Sequence, residues 1–283
     1  MAMDSKTLKK SDFDWRLTKE LRRQALDLEP AVKSISVHDL GAILRSLPAQ
    51  FVHDVQQLKK KLAYVPAREN AQIFAFCSSV AAEGSSTLAH ALTLAYALSS
   101  AEFEESNSAY SERYKNGGKK EQVLPNRGKT LLVDANLRSP DLHEFMNVPR
   151  DFGLVDYVED SLTLGKAIKW VVPDRLALLT AGRESEFGVE LFNQARFKEI
   201  FPELRKKFQT IVFDCPPVSV HPDIITFLPY IDSVILTVKS GSTNVSDILK
   251  TKLTLQQNGA LNIGVVLNRF RQSIPSKLNR IFE

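Results

Sequence analysis

From Gln72 onward the chain alternates short apolar runs with helical stretches, and that alternation leaves few folds open. The runs are QIFAF (72–76), TLLVD (130–134), LALLTA (176–181), TIVFD (210–214), SVILTV (233–238) and IGVVLN (263–268). Helical stretches lie between them, over 86–99, 154–169, 189–207 and 246–258. A helical crossover returns the chain to the end of the sheet where it started, so strands joined this way run parallel. Runs that are apolar throughout, and not at every second residue, describe strands buried on both faces. The expectation is an α/β domain over 71–283, with a mainly parallel sheet and helices on both faces.

Residues 1–70 read differently. FDWRLTKELRRQALDL (13–28) puts Phe13, Leu17, Leu21 and Leu28 near one helical face, and 37–47 and 51–64 read as two further short helices. These segments are rich in Lys and Arg and have no strand character. They predict a helical N-terminal arm whose apolar side either packs on the main domain or serves docking and oligomerisation. The rhythm breaks again at 101–129, a polar, charged, Gly-containing stretch that reads as a surface insertion loop. It holds Tyr110 and Tyr114, which a modifying enzyme could reach.

The charge balance, 37 basic against 33 acidic residues for a net +4, is too mild to argue for nucleic acid. No apolar run approaches the ~18 residues that span a bilayer, and MAMDSKTLKK has no signal core. The expected location is the cytoplasm, with any membrane association made through a partner. Cys77 and Cys215 sit in apolar runs, as small core residues or as a redox pair, and both suit a reducing compartment.

The first apolar run leads into CSSVAAEGSSTLAHALTLAYAL (77–98), a strand–loop–helix junction. Such a junction holds phosphate because backbone N–H groups and a helix N-terminus point at the anion. The usual pattern is G-x-x-x-x-G-K-[ST], in which Lys neutralises the outer phosphates and Ser or Thr holds Mg²⁺. Laid on this chain, Ser79 takes the first Gly position, Gly84 the second, Ser85 the Lys position and Ser86 the metal-binding hydroxyl. Asp134 and Asp214 each stand where an apolar run ends, which is where open α/β sheets carry their ligand chemistry. Asp214 suits a Mg²⁺ contact, and Asp134 suits activation of a water or hydroxyl.

These residues resemble a family. From about residue 45 the chain is similar to the cytoplasmic domain of bacterial tyrosine autokinases of capsule and exopolysaccharide systems, within the MinD/ParA group of P-loop NTPases. Ser79–Thr87 matches the Walker A region. Asp134–Arg138 followed by Pro140 matches the second aspartate motif, and Asp214–Pro217 matches D-x-P-P. ELFNQARFKEIFPELRKKF (190–208) and GVVLNRF (264–270) also match. The resemblance implies ATP and Mg²⁺ as cofactors, bound by Ser79, Glu83, Gly84, Ser85, Ser86 and Thr87, with Asn268 and Arg269 near the adenine. It implies Ser86 and Asp214 as metal ligands, and Asp134 and Asp214 as the catalytic carboxylates.

The departures from the pattern are as informative. Where the family writes P-G-E-G-K-S-T this chain has Ala81-Ala82-Glu83-Gly84-Ser85-Ser86-Thr87, without one glycine and without the lysine. D-x-D becomes Asp134-Ala135-Asn136, E-x-x-R-x-x-R is reduced to His53, Gln56 and Lys59, and the tail RQSIPSKLNRIFE has no tyrosine cluster. Lys59–Lys61 and Lys129 are the lysines considered as substitutes. The expected function is a kinase-like regulator or scaffold of exopolysaccharide assembly without catalysis, partnered by a membrane-anchored polysaccharide co-polymerase or a kinase paralogue. The alternative is an active ATP-dependent tyrosine kinase or ATPase with an atypical loop. A DNA-associated positioning ATPase would need a stronger positive charge than this chain carries.

Overall fold

A computed structural model describes residues 41–43, 46–69, 71–113, 128–159 and 162–270. The readings at 13–28, at 37–40 and over the tail lie outside these residues. Helix α1 (Ala49–Leu62) precedes β1 (Gln72–Ser78) and the long α2 (Ser85–Arg113). There follow β2 (Thr130–Asp134), α3 (Leu142–Met146), α4 (Leu154–Glu159), α5 (Leu164–Ala167), β3 (Ile168–Val172) and β4 (Leu176–Leu179). The chain continues through α6 (Gly188–Asn193), α7 (Ala195–Lys207), β5 (Thr210–Asp214), a 3₁₀ helix (Asp223–Tyr230), β6 (Ser233–Lys239), α8 (Val245–Gln257) and β7 (Ile263–Asn268).

The strands form one sheet in the order β3-β4-β2-β5-β1-β6-β7. Every neighbouring pair is parallel except β3 with β4. Each central strand is apolar throughout because it feeds two cores. Ile73, Ala75, Leu131, Val133, Ile211 and Phe213 pack on one side with α4, α6 and α7. Phe74, Phe76, Leu132 and Val212 pack on the other with α1 and α2. The first core is aromatic at its centre, where Phe197 lies 4.6 Å from Phe192 and Phe201 5.6 Å from Phe213 between ring centroids. The mainly parallel sheet with helices on both faces is therefore as expected.

Three readings need correction. The stretch 154–169 is not one helix: α4 stops at Glu159, α5 is one turn, and Ile168–Val172 is the antiparallel edge strand β3. IKWVV is β-branched and aromatic, and it turns Lys169 and Trp170 outward, a pattern that suits a half-covered edge. The stretch 189–207 is two helices, broken where Gln194 takes an extended backbone. Helix α2 runs on to Arg113, thirteen residues into the stretch expected to be a loop; residues 114–127 lie outside the description.

A buried ion pair ties the base of the sheet together. Arg205 on α7 reaches Asp232 with two bonds of 3.0 Å, and Asp232 also accepts from the Ile73 N–H at 2.7 Å. Arg205 further donates to the carbonyls of Ala71 and Tyr230, so most of its donors are used.

Candidate functional site

The strands β1, β2, β5 and β6 end together, and the candidate side chains lie where they end. Parallel register sets Asp134 directly opposite Asp214, and Phe76 opposite Asp214. Each carboxylate is thus carried on a strand end held by neighbours on both sides. The loop from Ser79 to Gly84 follows β1, and α2 begins at Ser85 with the Leu88 N–H bonded to the Gly84 carbonyl at 3.1 Å. The first turn of α2 carries no acidic residue. Its N–H groups and helix dipole therefore present net positive potential, the basis of a phosphate site.

The loop is shaped from within by Glu83. Its buried carboxylate accepts the N–H groups of Ser79 at 2.7 Å and Val80 at 2.9 Å. It also accepts the Lys239 N–H at 3.1 Å and the Thr243 hydroxyl, at the turn between β6 and α8. Sequence comparison placed Glu83 among cofactor-binding residues; its contacts make it a strut of the loop. Two residues in the loop have positive φ, Ala82 at +63° and Gly84 at +92°. Gly84 suits that region, whereas Ala82 occupies it with a Cβ.

Asn268 closes the other side. Its side-chain amide donates to the Glu83 carbonyl at 2.7 Å, and a Cβ on Gly84 would lie 2.3 Å from the same amide nitrogen. Asn268 thus lies against the loop, and Arg269 follows it with φ +56°. Ser85 is buried, Ser86 half-buried and Thr87 exposed.

Burial dominates the electrostatics. It pushes the Asp214 carboxyl up to about 8, reinforced by Asp141 and opposed by the nearby Ser86 hydroxyl. Ser86 is close enough to pull on Asp214, yet neither carboxylate oxygen has a partner of full hydrogen-bond geometry among the described residues. Asp134 is also raised well above its ordinary value, first by burial and then by the charges of Asp214 and Asp141. N–H bonds from Leu142 at 3.3 Å and Asn136 at 3.2 Å pull the other way. A buried carboxylate with two unpartnered oxygens beside a serine hydroxyl suits a divalent cation, which would favour its ionised form. The donor chemistry of Asp214 and Ser86 therefore fits Mg²⁺, although no group of three or more His, Cys, Asp or Glu side chains arranged for metal occurs among the described residues.

Two of the lysines considered as substitutes, Lys59 and Lys129, are engaged elsewhere. Lys59 donates to the Ala95 carbonyl at 3.2 Å and to the Ser99 hydroxyl, well along α2 from its first turn. Lys129 precedes β2, at the opposite end of that strand from Asp134, and pairs with Asp174 at 2.9 Å. Arg138, read in the sequence only as the end of the second aspartate motif, pairs with the buried Asp223 and donates to the Glu186 carbonyl at 2.8 Å. No sequence signal marked Asp223 as its partner, 85 residues away. Cys77 and Cys215 are free, buried thiols in the core.

This arrangement can be set beside known proteins. No protein-family model matches the chain. It is 30% identical over 141 residues to a putative tyrosine-protein kinase CapB of Staphylococcus aureus, covering 50% of this chain and 62% of that protein. It is 31% identical over 147 residues to a tyrosine-protein kinase CpsD of Streptococcus pneumoniae, covering 52% and 65%. The chain is similar to bacterial tyrosine-protein kinases over about half of its length. The matches span less than two thirds of those relatives. The kinase domain of the Escherichia coli tyrosine kinase ETK superposes with TM-score 0.63 at 19% identity, over 79% of this chain and 78% of that one. The chimerical protein CapA2B2 gives 0.58 at 25% identity, over 76% and 82%. MinD of Pyrococcus horikoshii, complexed with Mg-ADP, gives 0.50 at 19% over 75% and 76%, a likeness of fold. Among the described residues no helix is long and apolar enough to cross a membrane.

Proposed function

We propose that this chain is a kinase-like subunit of a bacterial exopolysaccharide system that regulates or scaffolds assembly and does not transfer phosphate. One observation carries this reading. The position that supplies the cation in a phosphate loop is Ser85, and Lys59 and Lys129 are committed elsewhere. Phosphoryl transfer rests on positioning and charge neutralisation, so a loop without its ammonium loses the larger part of both. Bound ATP and Mg²⁺ would bring the transferable phosphoryl group and the charge that organises it. The loop N–H groups would hold the phosphates, and Ser86 and Asp214 the metal. A membrane-anchored co-polymerase or an active kinase paralogue is the partner that the likeness to the CapA2B2 chimera supports.

The retained metal-binding chemistry of Asp214 and Ser86 favours a second reading, an active kinase with an atypical loop. Calorimetric titration with ATP and Mg²⁺, paired with a phosphate-release assay, separates the two. The scaffold reading expects background turnover and tightening of ATP binding by about 10–100-fold in Ser85→Lys, the worth of one charge-assisted contact. Micromolar binding with turnover in the natural sequence would refute it.

A further inference from the structure

A cavity of about 390 Å³ lies at the β3 edge of the sheet, against the end of α7 and the residue entering β2. The phosphate loop follows β1, four places along the sheet order from β3. Trp170 forms one wall and is 40% exposed; Phe208 packs on it at 5.7 Å and Ile168 lies beside them. Lys129, Lys206 and Lys207 complete the lining, and the Lys129 ammonium lies 5.8 Å from the Trp170 ring centre. The acids near them are few and exposed. Asp174 pairs with Lys129 at 2.9 Å, and Glu203 reaches Lys207 at 4.0 Å. Lys206 has no acidic partner among the described residues. At Gly165 a Cβ would meet nothing within 4 Å, so the mouth is open on that side.

An indole face with one ammonium over it and two further lysines in the same lining selects a ligand that carries a flat ring and a concentrated negative charge. A phosphate brings nearly two charges and three acceptor oxygens, which three lysines can meet together, whereas a carboxylate brings one charge. The geometry points to a phosphotyrosine side chain, presented by a partner protein, as the ligand of this pocket. The aromatic ring would lie against the exposed Trp170, which Phe208 backs from within, and the phosphate would meet the lysines. A phosphoserine would leave the apolar wall in water, and an unmodified tyrosine would bring no charge to Lys206 or to Lys129 and Lys207, whose present partners Asp174 and Glu203 are exposed. The assignment rests on the reading that this chain works beside a tyrosine kinase. It adds that the chain recognises that kinase's product.

The test is calorimetric titration of the full chain with three peptides of one sequence, carrying phosphotyrosine, phosphoserine or unmodified tyrosine. The phosphotyrosine peptide is expected to bind at least about 10-fold tighter than the others, and to weaken as salt rises. Lys206→Glu with Lys207→Glu, two exposed positions, should lose about 10-fold or more of that affinity, as should Trp170→Ala. Trp170→Phe should retain most of it, which separates loss of a ring from loss of folding. Equal binding of the three peptides would overturn the assignment. So would affinity unchanged by the double lysine variant, or tighter binding of an oligosaccharide of acidic sugars. ATP affinity in Ser85→Lys reads the phosphate loop alone, so failure of the nucleotide reading and failure of this one give different results.

Discussion

Asn268, the last residue of β7, donates its side-chain amide to the main-chain carbonyl of Glu83, 185 residues earlier in the chain. The bond fastens the phosphate loop to the sheet edge, and it exists because Gly84 leaves room for the amide. Gly84→Ala would put a Cβ 2.3 Å from that nitrogen while holding φ at +92°. The expected loss is about 2–4 kcal/mol, from strain at a left-handed position together with a broken, partly buried bond. Asn268→Ala should cost about 1 kcal/mol. Chemical unfolding of the two variants checks both the values and their order.

Ala82 invites the opposite change. Its φ of +63° costs an L-residue about 1 kcal/mol, and glycine takes it freely. Ala82→Gly is therefore expected to stabilise the protein by about 0.5–1 kcal/mol, read as a melting temperature a few degrees higher. It should leave ATP affinity unchanged, because it restores shape and no charge. Combined with Ser85→Lys, it should add nothing to the affinity gained from the lysine.

The buried carboxyls give the protein a pH signature. With its folded value raised to about 8, Asp214 keeps its proton where the unfolded chain has released it. Its contribution to stability is whole below about pH 4 and is lost as pH climbs toward 8, by up to about 1.4 kcal/mol per unit. Asp134 acts in the same direction. Asp214→Asn, which cannot ionise, should melt above the natural protein at pH 8, with the gap closing toward pH 5. Added Mg²⁺ should narrow the gap at pH 8 by stabilising the ionised natural protein. Melting curves across pH 5–8 with and without Mg²⁺ test this; a gap independent of pH would contradict it.

At the base of the sheet, Arg205→Ala would leave Asp232 buried with its principal counter-charge gone. Arg68 also reaches Asp232, at 3.0 Å, but is half in solvent. The expected cost is about 3–5 kcal/mol, enough to lower soluble yield. The site lies far along the strands from the loop, so any protein that folds should bind nucleotide as the parent does.

The sheet was legible because strands covered on both faces have no polar alternation, and TLLVD or TIVFD has no other use. The edge was harder to see. Ile168–Val172 alternates weakly and follows a single turn of helix, so its period is lost in the helical pattern before it. In the site, Asp134 and Asp214 were legible as strand-end carboxylates. Asn268 was read from its match to GVVLNRF as lying near the adenine, and its bond to the Glu83 carbonyl had no local signal. Arg138 with Asp223, and the inward turn of Glu83, depend on contacts across 85 and 160 residues that no local pattern encodes. Lys59 and Lys129 failed as substitutes for the missing lysine for the same reason: sequence shows that a lysine exists and not where it points.

Glu83 bears on what keeps such a loop in shape. Most anion-binding turns are a ring of like dipoles that an incoming phosphate must calm. Here a resident carboxylate already sits behind the turn and stitches it to the neighbouring strand and helix. The curve of the backbone is then set from behind, whatever lies in front of it.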